Sequence, residues 1–109
     1  MEGGKDTIKK LKITLACASG MSTTMLCKKI IAAAEQRGYE CECEAYGIST
    51  LSAVAPGSDL LLLGPQVRYR LEEIRKNYPN IPVEVINMMD YGAMNGEKIF
   101  SEMAQKYGW

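Results

Sequence analysis

Residues 13–24 read Ile13-Thr14-Leu15-Ala16-Cys17-Ala18-Ser19-Gly20-Met21-Ser22-Thr23-Thr24, an apolar run that gives way to small and hydroxyl-bearing residues. Apolar residues then recur at helical spacing from Leu26 to Ala34, and the following Gly38 is typical of a C-terminal helix cap. The pattern predicts a first strand over residues 11–16, a tight loop and a helix. Such a unit opens many folds in which helices cover a parallel sheet.

The rest of the chain predicts three further strands. Residues Glu40–Glu44 alternate between charged and small apolar side chains, as an edge strand with one solvated face does. The run Leu60–Leu63 is wholly apolar, which is typical of a central strand buried on both faces. A fourth strand is predicted at Val83–Ile86, directly after Pro82, because an edge strand tolerates proline at its start.

Helices are predicted between these strands at Ser49–Val54 and Val67–Tyr78, and after them from Asn95 to Tyr107. Strands joined by helical crossovers form a parallel sheet. We therefore expect a single α/β domain over residues 11–109, with a four-stranded parallel sheet, helices on both faces and strand order 2-1-3-4. Residues 1–10 are expected to form a flexible tail.

In a sheet of this order, ligands bind at the carboxyl ends of the strands where the connections reverse direction. The reversal falls between strands 1 and 3, whose following loops are Cys17–Thr24 and Gly64–Gln66. The sequence therefore predicts a binding crevice formed by these two loops.

Composition excludes several classes of function. The chain has 109 residues, and its 13 basic and 13 acidic residues cancel. Because no basic run is interleaved with aromatic residues, nucleic acid is not an expected partner. The longest apolar stretches, Ile30–Ala34 and Leu60–Leu63, are far shorter than the ~20 residues of a membrane-spanning helix. The charged N-terminus does not resemble a secretory signal, so we expect a cytosolic protein with no direct membrane insertion.

The four cysteines are expected to be reduced thiols, since no export signal is seen. They form no C-x-x-C motif and the chain has no histidine, so neither a metal nor a cofactor is expected. We expect Cys27, Cys41 and Cys43 to pack in the core, and the methionines to fill gaps there.

Cys17 differs from these cysteines because it stands where a strand meets a helix. Backbone N–H groups and the helix dipole stabilise an anion at such a place and favour thiolate over thiol. Cys17 is therefore predicted to be a nucleophile in a phosphate cradle. The candidate phosphate-binding residues are Ala18, Ser19, Gly20, Met21, Ser22, Thr23 and Thr24.

The loop carries no guanidinium group. A cysteine phosphatase of the C-x5-R type has arginine six positions after the cysteine to stabilise charge in the transition state, and Thr23 occupies that position here. The site can accept a phosphoryl group but has little means of hydrolysing it. These are the properties of a phosphoryl carrier.

Four stretches together resemble a known family: the loop Cys17–Thr24, the run Leu61–Gln66, the strand Val83–Ile86 and the pair Tyr91-Gly92. They resemble the cytosolic B component (IIB) of enzyme II in the bacterial phosphoenolpyruvate-dependent sugar phosphotransferase system, of the lactose/cellobiose type. The match runs from about Ile13 to the C-terminus.

The resemblance implies a protein-phosphocysteine sugar phosphotransferase. Its Cys17 would receive a phosphoryl group from a phosphohistidine of the A component (IIA). It would pass the group to a sugar of the cellobiose, lactose or β-glucoside class held by the integral-membrane C component (IIC). The protein would thus associate with the membrane through IIC. Because the chain has no histidine, the donor imidazole must arrive on another protein, so we expect an open crevice.

Other interpretations remain open. The chain could be a low-molecular-weight cysteine phosphatase-like hydrolase with Asp90 as the acid, or a non-catalytic regulatory module. Gln66, Arg68 and Tyr91 are candidate partner-docking residues near the crevice. Gln66 could instead cap the third helix, Arg68 could belong to a solvated helix face, and Tyr91 could serve packing alone.

Overall fold

The computed structural model describes residues 9–18 and 24–109. Within these ranges the strands are β1 (Lys9–Cys17), β2 (Tyr39–Gly47), β3 (Leu60–Leu63) and β4 (Val83–Val85). The helices are α1 (Thr24–Gln36), α2 (Leu51–Val54), α3 (Leu71–Asn77), α4 (Met88–Gly92) and α5 (Gly96–Tyr107). Segments of 3₁₀ helix at Ile48–Thr50 and Pro65–Arg70 precede α2 and α3.

The four strands form one parallel sheet in the order β2-β1-β3-β4, which confirms the predicted topology. Strand β1 lies at the centre, where Ile13 is paired with Cys43 of β2 on one side and Leu60 of β3 on the other. The wholly apolar β3 is the second central strand, and β4 forms the far edge. The hydrophobic pattern of each strand thus matches its place in the sheet.

Helices cover both faces of the sheet, and each face has its own core. On one face, Leu15 and Leu62 of the sheet pack in a cluster with Ile30 of α1 and Phe100 of α5. On the other face, residues such as Leu61 belong to a second cluster, whose helical and 3₁₀ members are Leu51, Val67 and Ile74. The alternation arises because successive side chains of a strand point to opposite faces.

The second face is solvated where β1 and β2 lie side by side. Lys10 and Lys12 of β1 are exposed there and are paired in register with the exposed Glu40 and Glu42 of β2. Strand β1 therefore begins at Lys9 and not at the predicted Leu11. The charged Lys10 and Lys12 near its start do not prevent strand formation, because their side chains lie on the solvated face. Residues 1–8 of the predicted tail lie outside the described residues.

The predicted third helix is divided in the structure. Its first part is the 3₁₀ segment Pro65–Arg70, in which Val67 has a non-helical φ of −114°. The N–H of Val67 donates to the carbonyl of Gly64 at 3.0 Å, a tight turn that closes directly after β3. The α-helical part therefore begins at Leu71 and ends at Asn77, not at Tyr78.

Helix α4 was not predicted from the sequence. The side-chain oxygen of Asn87 accepts hydrogen bonds from the N–H of Met89 at 2.7 Å and of Asp90 at 3.3 Å, so it caps the helix. The predicted fourth strand ends one residue early, at Val85, and the chain turns into this helix. Among the described residues, no helix is both long and apolar enough to cross a membrane.

Helix α5 lies very close to α1 at Gly96. A Cβ atom at Gly96 would lie 2.6 Å from the carbonyl carbon of Lys29 and 2.7 Å from the nitrogen of Ile30. These are backbone atoms of a long helix, which cannot move aside as a flexible side chain can. The glycine is therefore required by close packing of the two helices.

We expect Gly96→Ala to lower the free energy of unfolding by about 2 kcal/mol, because overpacking forces two helices apart. The matched control is Gly92→Ala, since a Cβ at Gly92 would meet nothing within 4 Å. That variant should stay within about 0.5 kcal/mol of the wild type. Urea-induced unfolding followed by circular dichroism measures both, and equal stability of the two variants would contradict the packing argument.

Candidate functional site

Strand β1 ends at Cys17, which is paired in register with Gly47 at the end of β2. On the other side, the preceding Ala16 is paired with Leu63 at the end of β3. Helix α1 begins at Thr24 on the way to β2, and the chain then crosses over to β3. Cys17 therefore lies at the carboxyl edge of the sheet, at the reversal point between β1 and β3 where the crevice was predicted.

Only part of the predicted phosphate cradle lies among the described residues. Ala18 is exposed, and Thr24 is an exposed residue at the start of α1. The predicted phosphate contacts of five residues lie outside the described residues: Ser19, Gly20, Met21, Ser22 and Thr23. The role of the loop as a cradle therefore stays a prediction.

Cys17 is buried, with only 2 % of the residue exposed. The expected open crevice is bounded by residues 17–24, most of which lie outside the described residues, so its openness stays a prediction. A donor group can react with the sulfur only if the groups that cover Cys17 move away. Accessibility of the thiol is thus a step that any transfer reaction at this residue must include.

Gly64, the residue directly after β3, brings several side chains of the site together. Its N–H donates to the carbonyl of Ala16 at 2.8 Å. A Cβ atom built on Gly64 would lie 3.4 Å from the Cys17 Cβ, 3.0 Å from the Gln66 Oε1 and 3.5 Å from the Tyr91 Cε1. Three side chains therefore converge on one point that is open only because residue 64 is glycine.

The backbone of Gly64 has φ −62° and ψ 152°, which any residue can adopt. The requirement for glycine is therefore steric and not conformational. Sequence reasoning placed Gly64 in the crevice but did not identify it as a functional residue. The sequence feature that could have identified Gly64 is its position directly before Pro65, at the end of a buried strand.

The three candidate docking residues lie in one place. Gln66, Arg68 and Tyr91 line a cavity of about 640 Å³, together with Tyr69 and Met88 among others. Gln66 and Arg68 are exposed, and Tyr91 is half-buried against the core under α1 and α5. The structure thus brings these residues together, while their contact with a partner stays a prediction.

The surface beside this cavity is apolar. Tyr69 is 76 % exposed, Met88 62 % and Met89 81 %. The expectation that the methionines fill gaps in the core is therefore wrong for Met88 and Met89, and also for the exposed Met25 and Met94. The sequence pattern does not predict α4, the helix that presents Met88 and Met89.

Arg68 is the cation among the described residues that line this cavity. Within the ranges that the structure describes, no carboxylate forms an ion pair with Arg68. The nearby Arg70, by contrast, is held by Glu73, with the Arg70 Nε 2.8 Å from the Glu73 Oε1. Arg68 therefore differs from Arg70, whose charge a carboxylate of the described chain neutralises.

The other three cysteines are buried in the core, as predicted. Burial raises the pKa of Cys41 to about 11, with neighbouring acidic groups adding to the effect. Cys27 and Cys43 share a hydrogen bond, which lowers the pKa of Cys27 and, together with burial, raises that of Cys43. Buried thiols of this kind are usually structural and unreactive.

Asp90, the candidate acid of a hydrolase, is buried. Its side chain is 7 % exposed, and its Oδ1 lies 3.4 Å from the ammonium nitrogen of Lys98 on α5. The backbone carbonyl of Asp90 also accepts a hydrogen bond from Asn95 at 2.9 Å. Asp90 thus connects α4 to α5. Because its carboxylate is buried and paired with Lys98, it is poorly placed to protonate a leaving group.

Residues 12–102 match the family model described as "PTS system, Lactose/Cellobiose specific IIB subunit". The chain is 38% identical over 96 residues to the galactose-specific EIIB component of the phosphotransferase system of Lactococcus lactis subsp. cremoris, covering 82% of this chain and 89% of that protein. It is 40% identical over 93 residues to the oligo-beta-mannoside-specific EIIB component of Bacillus subtilis, covering 84% and 90%.

Two solved structures are similar. The lactose-specific IIB component domain of Streptococcus pneumoniae superposes with a TM-score of 0.79 at 20% identity, covering 91% of this chain and 99% of that one, which is a likeness of fold. The cellobiose-specific IIB component of Borrelia burgdorferi superposes with a TM-score of 0.67 at 37% identity, covering 84% and 86%.

Proposed function

Because the chain belongs to the lactose/cellobiose-specific IIB family of the sugar phosphotransferase system, we propose that Cys17 carries a phosphoryl group from a donor protein to a sugar. The donor is a phosphohistidine of the IIA component. The acceptor is a hydroxyl group of a sugar held by the membrane component IIC. The protein itself would work in the cytoplasm and reach the membrane through IIC.

The reaction has two balanced steps. In the first, the Cys17 thiolate attacks phosphorus, the P–N bond of the donor breaks, and the neutral imidazole leaves with a proton from solvent. In the second, a sugar hydroxyl attacks the phosphocysteine, the S–P bond breaks, the hydroxyl proton goes to a base or to water, and the thiolate is regenerated. Each step needs in-line positioning and stabilisation of the phosphoryl charge.

The observation that carries this proposal is the position of Cys17. It ends β1 at the carboxyl edge of the sheet, and the 13-residue helix α1 begins seven residues later, at Thr24. The positive end of such a helix and the amide groups of the loop would stabilise the three phosphoryl oxygens. The phosphate-binding role of residues 18–24 is part of the proposal.

The absence of a guanidinium group from the loop explains why the site would carry a phosphoryl group and not hydrolyse it. Thr23 stands where a cysteine phosphatase has arginine. The ion pair of Asp90 with Lys98 also leaves the hydrolase interpretation without a free acid at that position. Both observations favour the carrier over the phosphatase-like alternative.

For the sugar we propose the cellobiose, lactose or β-glucoside class. The relatives are described as specific for galactose, cellobiose and oligo-beta-mannosides, so closely similar chains serve different sugars. This fits an acceptor that is selected by the membrane component.

The proposal is tested by the intact mass of the chain after incubation with phosphoenolpyruvate, the general components of the system and IIA. We expect the mass of one phosphoryl group to be added, and no added mass when IIA is omitted. Release of inorganic phosphate from an aryl phosphate, abolished by Cys17→Ser, would instead favour the hydrolase. Sugar phosphorylation that persists in Cys17→Ser would favour the regulatory module.

A further inference from the structure

We propose that the cavity beside Gly64 is a docking groove for the phosphorylated IIA donor, and that it takes an apolar side chain flanked by a carboxylate. The docking groove is defined by Pro65, Gln66, Arg68, Tyr69, Met88 and Tyr91. This inference rests on the proposed function, because it presupposes that a second protein brings the phosphoryl group to Cys17.

The docking groove adjoins the nucleophile. Gln66 and Tyr91, two of its residues, approach the same point above Gly64 as the Cβ of Cys17, all within 3.5 Å of it. A protein side chain seated in the groove would therefore place its neighbouring residues over Cys17. In-line transfer needs the phosphorylated imidazole of the donor directly beside the Cys17 sulfur.

The docking groove is apolar enough to bind a protein. Its volume of about 640 Å³ is ample for a large aliphatic or aromatic side chain. Tyr69 and Met88 stand at its rim with most of their surface in solvent. Exposed aromatic and methionine side chains around a cavity are typical of interfaces, where a few such residues contribute most of the binding energy.

The charge of the docking groove determines what kind of protein fits. Among the described residues that line it, Arg68 is the charged one, and no carboxylate of the described chain neutralises it. A partner that buried an apolar side chain here would also bring a group against the guanidinium. A carboxylate on the partner satisfies Arg68 with paired hydrogen bonds, whereas a lysine or arginine would be repelled.

This charge favours IIA over IIC as the occupant. Cytoplasmic loops of membrane proteins carry an excess of lysine and arginine, which an unpaired arginine would repel. A water-soluble donor is free of that bias and brings a negatively charged phosphohistidine as well. We therefore assign the docking groove to the donor step and not to the step that delivers the phosphoryl group to the sugar.

The test separates the two steps. For the donor step, the initial rate of phosphorylation by phosphorylated IIA is measured against the concentration of the chain, for the wild type, Arg68→Glu and Tyr69→Ala. For the acceptor step, each protein is fully phosphorylated by long incubation, and its discharge is followed on membrane vesicles that contain IIC and the sugar. The control is Lys76→Glu, an equal charge change at an exposed residue in the last turn of α3, away from the groove.

We expect Arg68→Glu to raise the half-saturating concentration of the donor step at least about tenfold, with an unchanged maximal rate. Tyr69→Ala should raise it about fivefold or more. Lys76→Glu should behave as the wild type. Discharge to IIC should stay within about twofold of the wild-type rate in all variants, because IIC does not occupy the docking groove in this assignment and Cys17 is unchanged.

Two results would overturn the assignment: an unchanged half-saturating concentration in Arg68→Glu, or a loss in the discharge step in place of the donor step. The second result would show that IIC occupies the docking groove. Failure of the proposed function has a different signature, since the wild type would then acquire no phosphoryl group at all. If the wild type is phosphorylated and Arg68→Glu has the same half-saturating concentration, the docking groove is refuted. The proposed function is then still supported.

Discussion

Cys17→Ser is expected to reduce phosphorylation of the sugar at least about 10³-fold, the largest effect of any single substitution in this chain. Serine has nearly the same shape as cysteine, so the substitution leaves the packing at the end of β1 nearly unchanged. A serine hydroxyl, however, stays protonated at neutral pH and is a poor nucleophile unless a base activates it. The chain has no histidine to act as that base.

The matched control for this prediction is Cys41→Ser. Cys41 is also buried, and its Sγ donates a weak hydrogen bond to the carbonyl of Glu42 at 3.6 Å that a hydroxyl can replace. Its raised pKa, caused mainly by burial, keeps it a neutral thiol at physiological pH. We expect Cys41→Ser to phosphorylate sugar at the wild-type rate. A comparable loss in both variants would show that the effect is structural and not chemical.

The second large effect is expected for Gly64→Val. The added Cβ and methyl groups would press on Cys17, Gln66 and Tyr91 at once, since all three already lie within 3.5 Å of the Cβ position. Because displacement of a reacting group by about 1 Å can cost on the order of 100-fold in rate, we expect transfer from IIA to fall about 100-fold. The rate is measured by quenched-flow phosphorylation at saturating donor.

Gly64→Ala provides the graded control. Its Cβ would be tight only against the Gln66 Oε1, at 3.0 Å, the end of a flexible side chain that can move. We expect a loss of about fivefold or less, and recovery when Gln66→Ala is added. If Gly64→Ala and Gly64→Val have equal effects, the steric argument is wrong, and the role of Gly64 lies in its backbone.

The sheet could be predicted because its strands carry unambiguous patterns. The four leucines of β3, bounded by turn residues, favour a strand covered on both faces, and the alternation around Cys41 and Cys43 favours a strand with one solvated face, as at a sheet edge. With two strands central and two at the edges, the parallel connections leave few arrangements. Strand order therefore followed from hydrophobic pattern and connection rules without any knowledge of the side-chain contacts.

Other features could not be predicted because they depend on contacts between distant parts of the chain. Helix α4 is short and depends on the cap at Asn87, a signal that is too local to outweigh the preceding strand pattern. The requirement for glycine at Gly96 comes from α1, which lies more than sixty residues earlier in the chain. No periodicity in sequence records such an approach of two backbones.

In the candidate site, too, some features follow from local sequence and others depend on contacts between distant residues. Cys17 was predicted because a thiol between an apolar run and a helix start has a local physical meaning. Three other features of the site arise from packing among β1, α4 and the 3₁₀ segment Pro65–Arg70. They are the burial of Cys17, the convergence of Gln66 and Tyr91 on Gly64, and the exposure of Tyr69 and Met88. These features decide how a partner can approach, and they become visible only in three dimensions.

The sulfur of Cys17 is the atom that we propose carries the phosphoryl group. The most direct measurement is peptide mapping by tandem mass spectrometry of the chain after brief phosphorylation by IIA, together with ³¹P nuclear magnetic resonance of the intact protein. We predict one phosphoryl group, on the peptide that contains Cys17, with the resonance of a phosphorus bonded to sulfur. A phosphoryl group bonded to oxygen on any residue, or prompt release of inorganic phosphate with no phosphorylated peptide, would contradict the account.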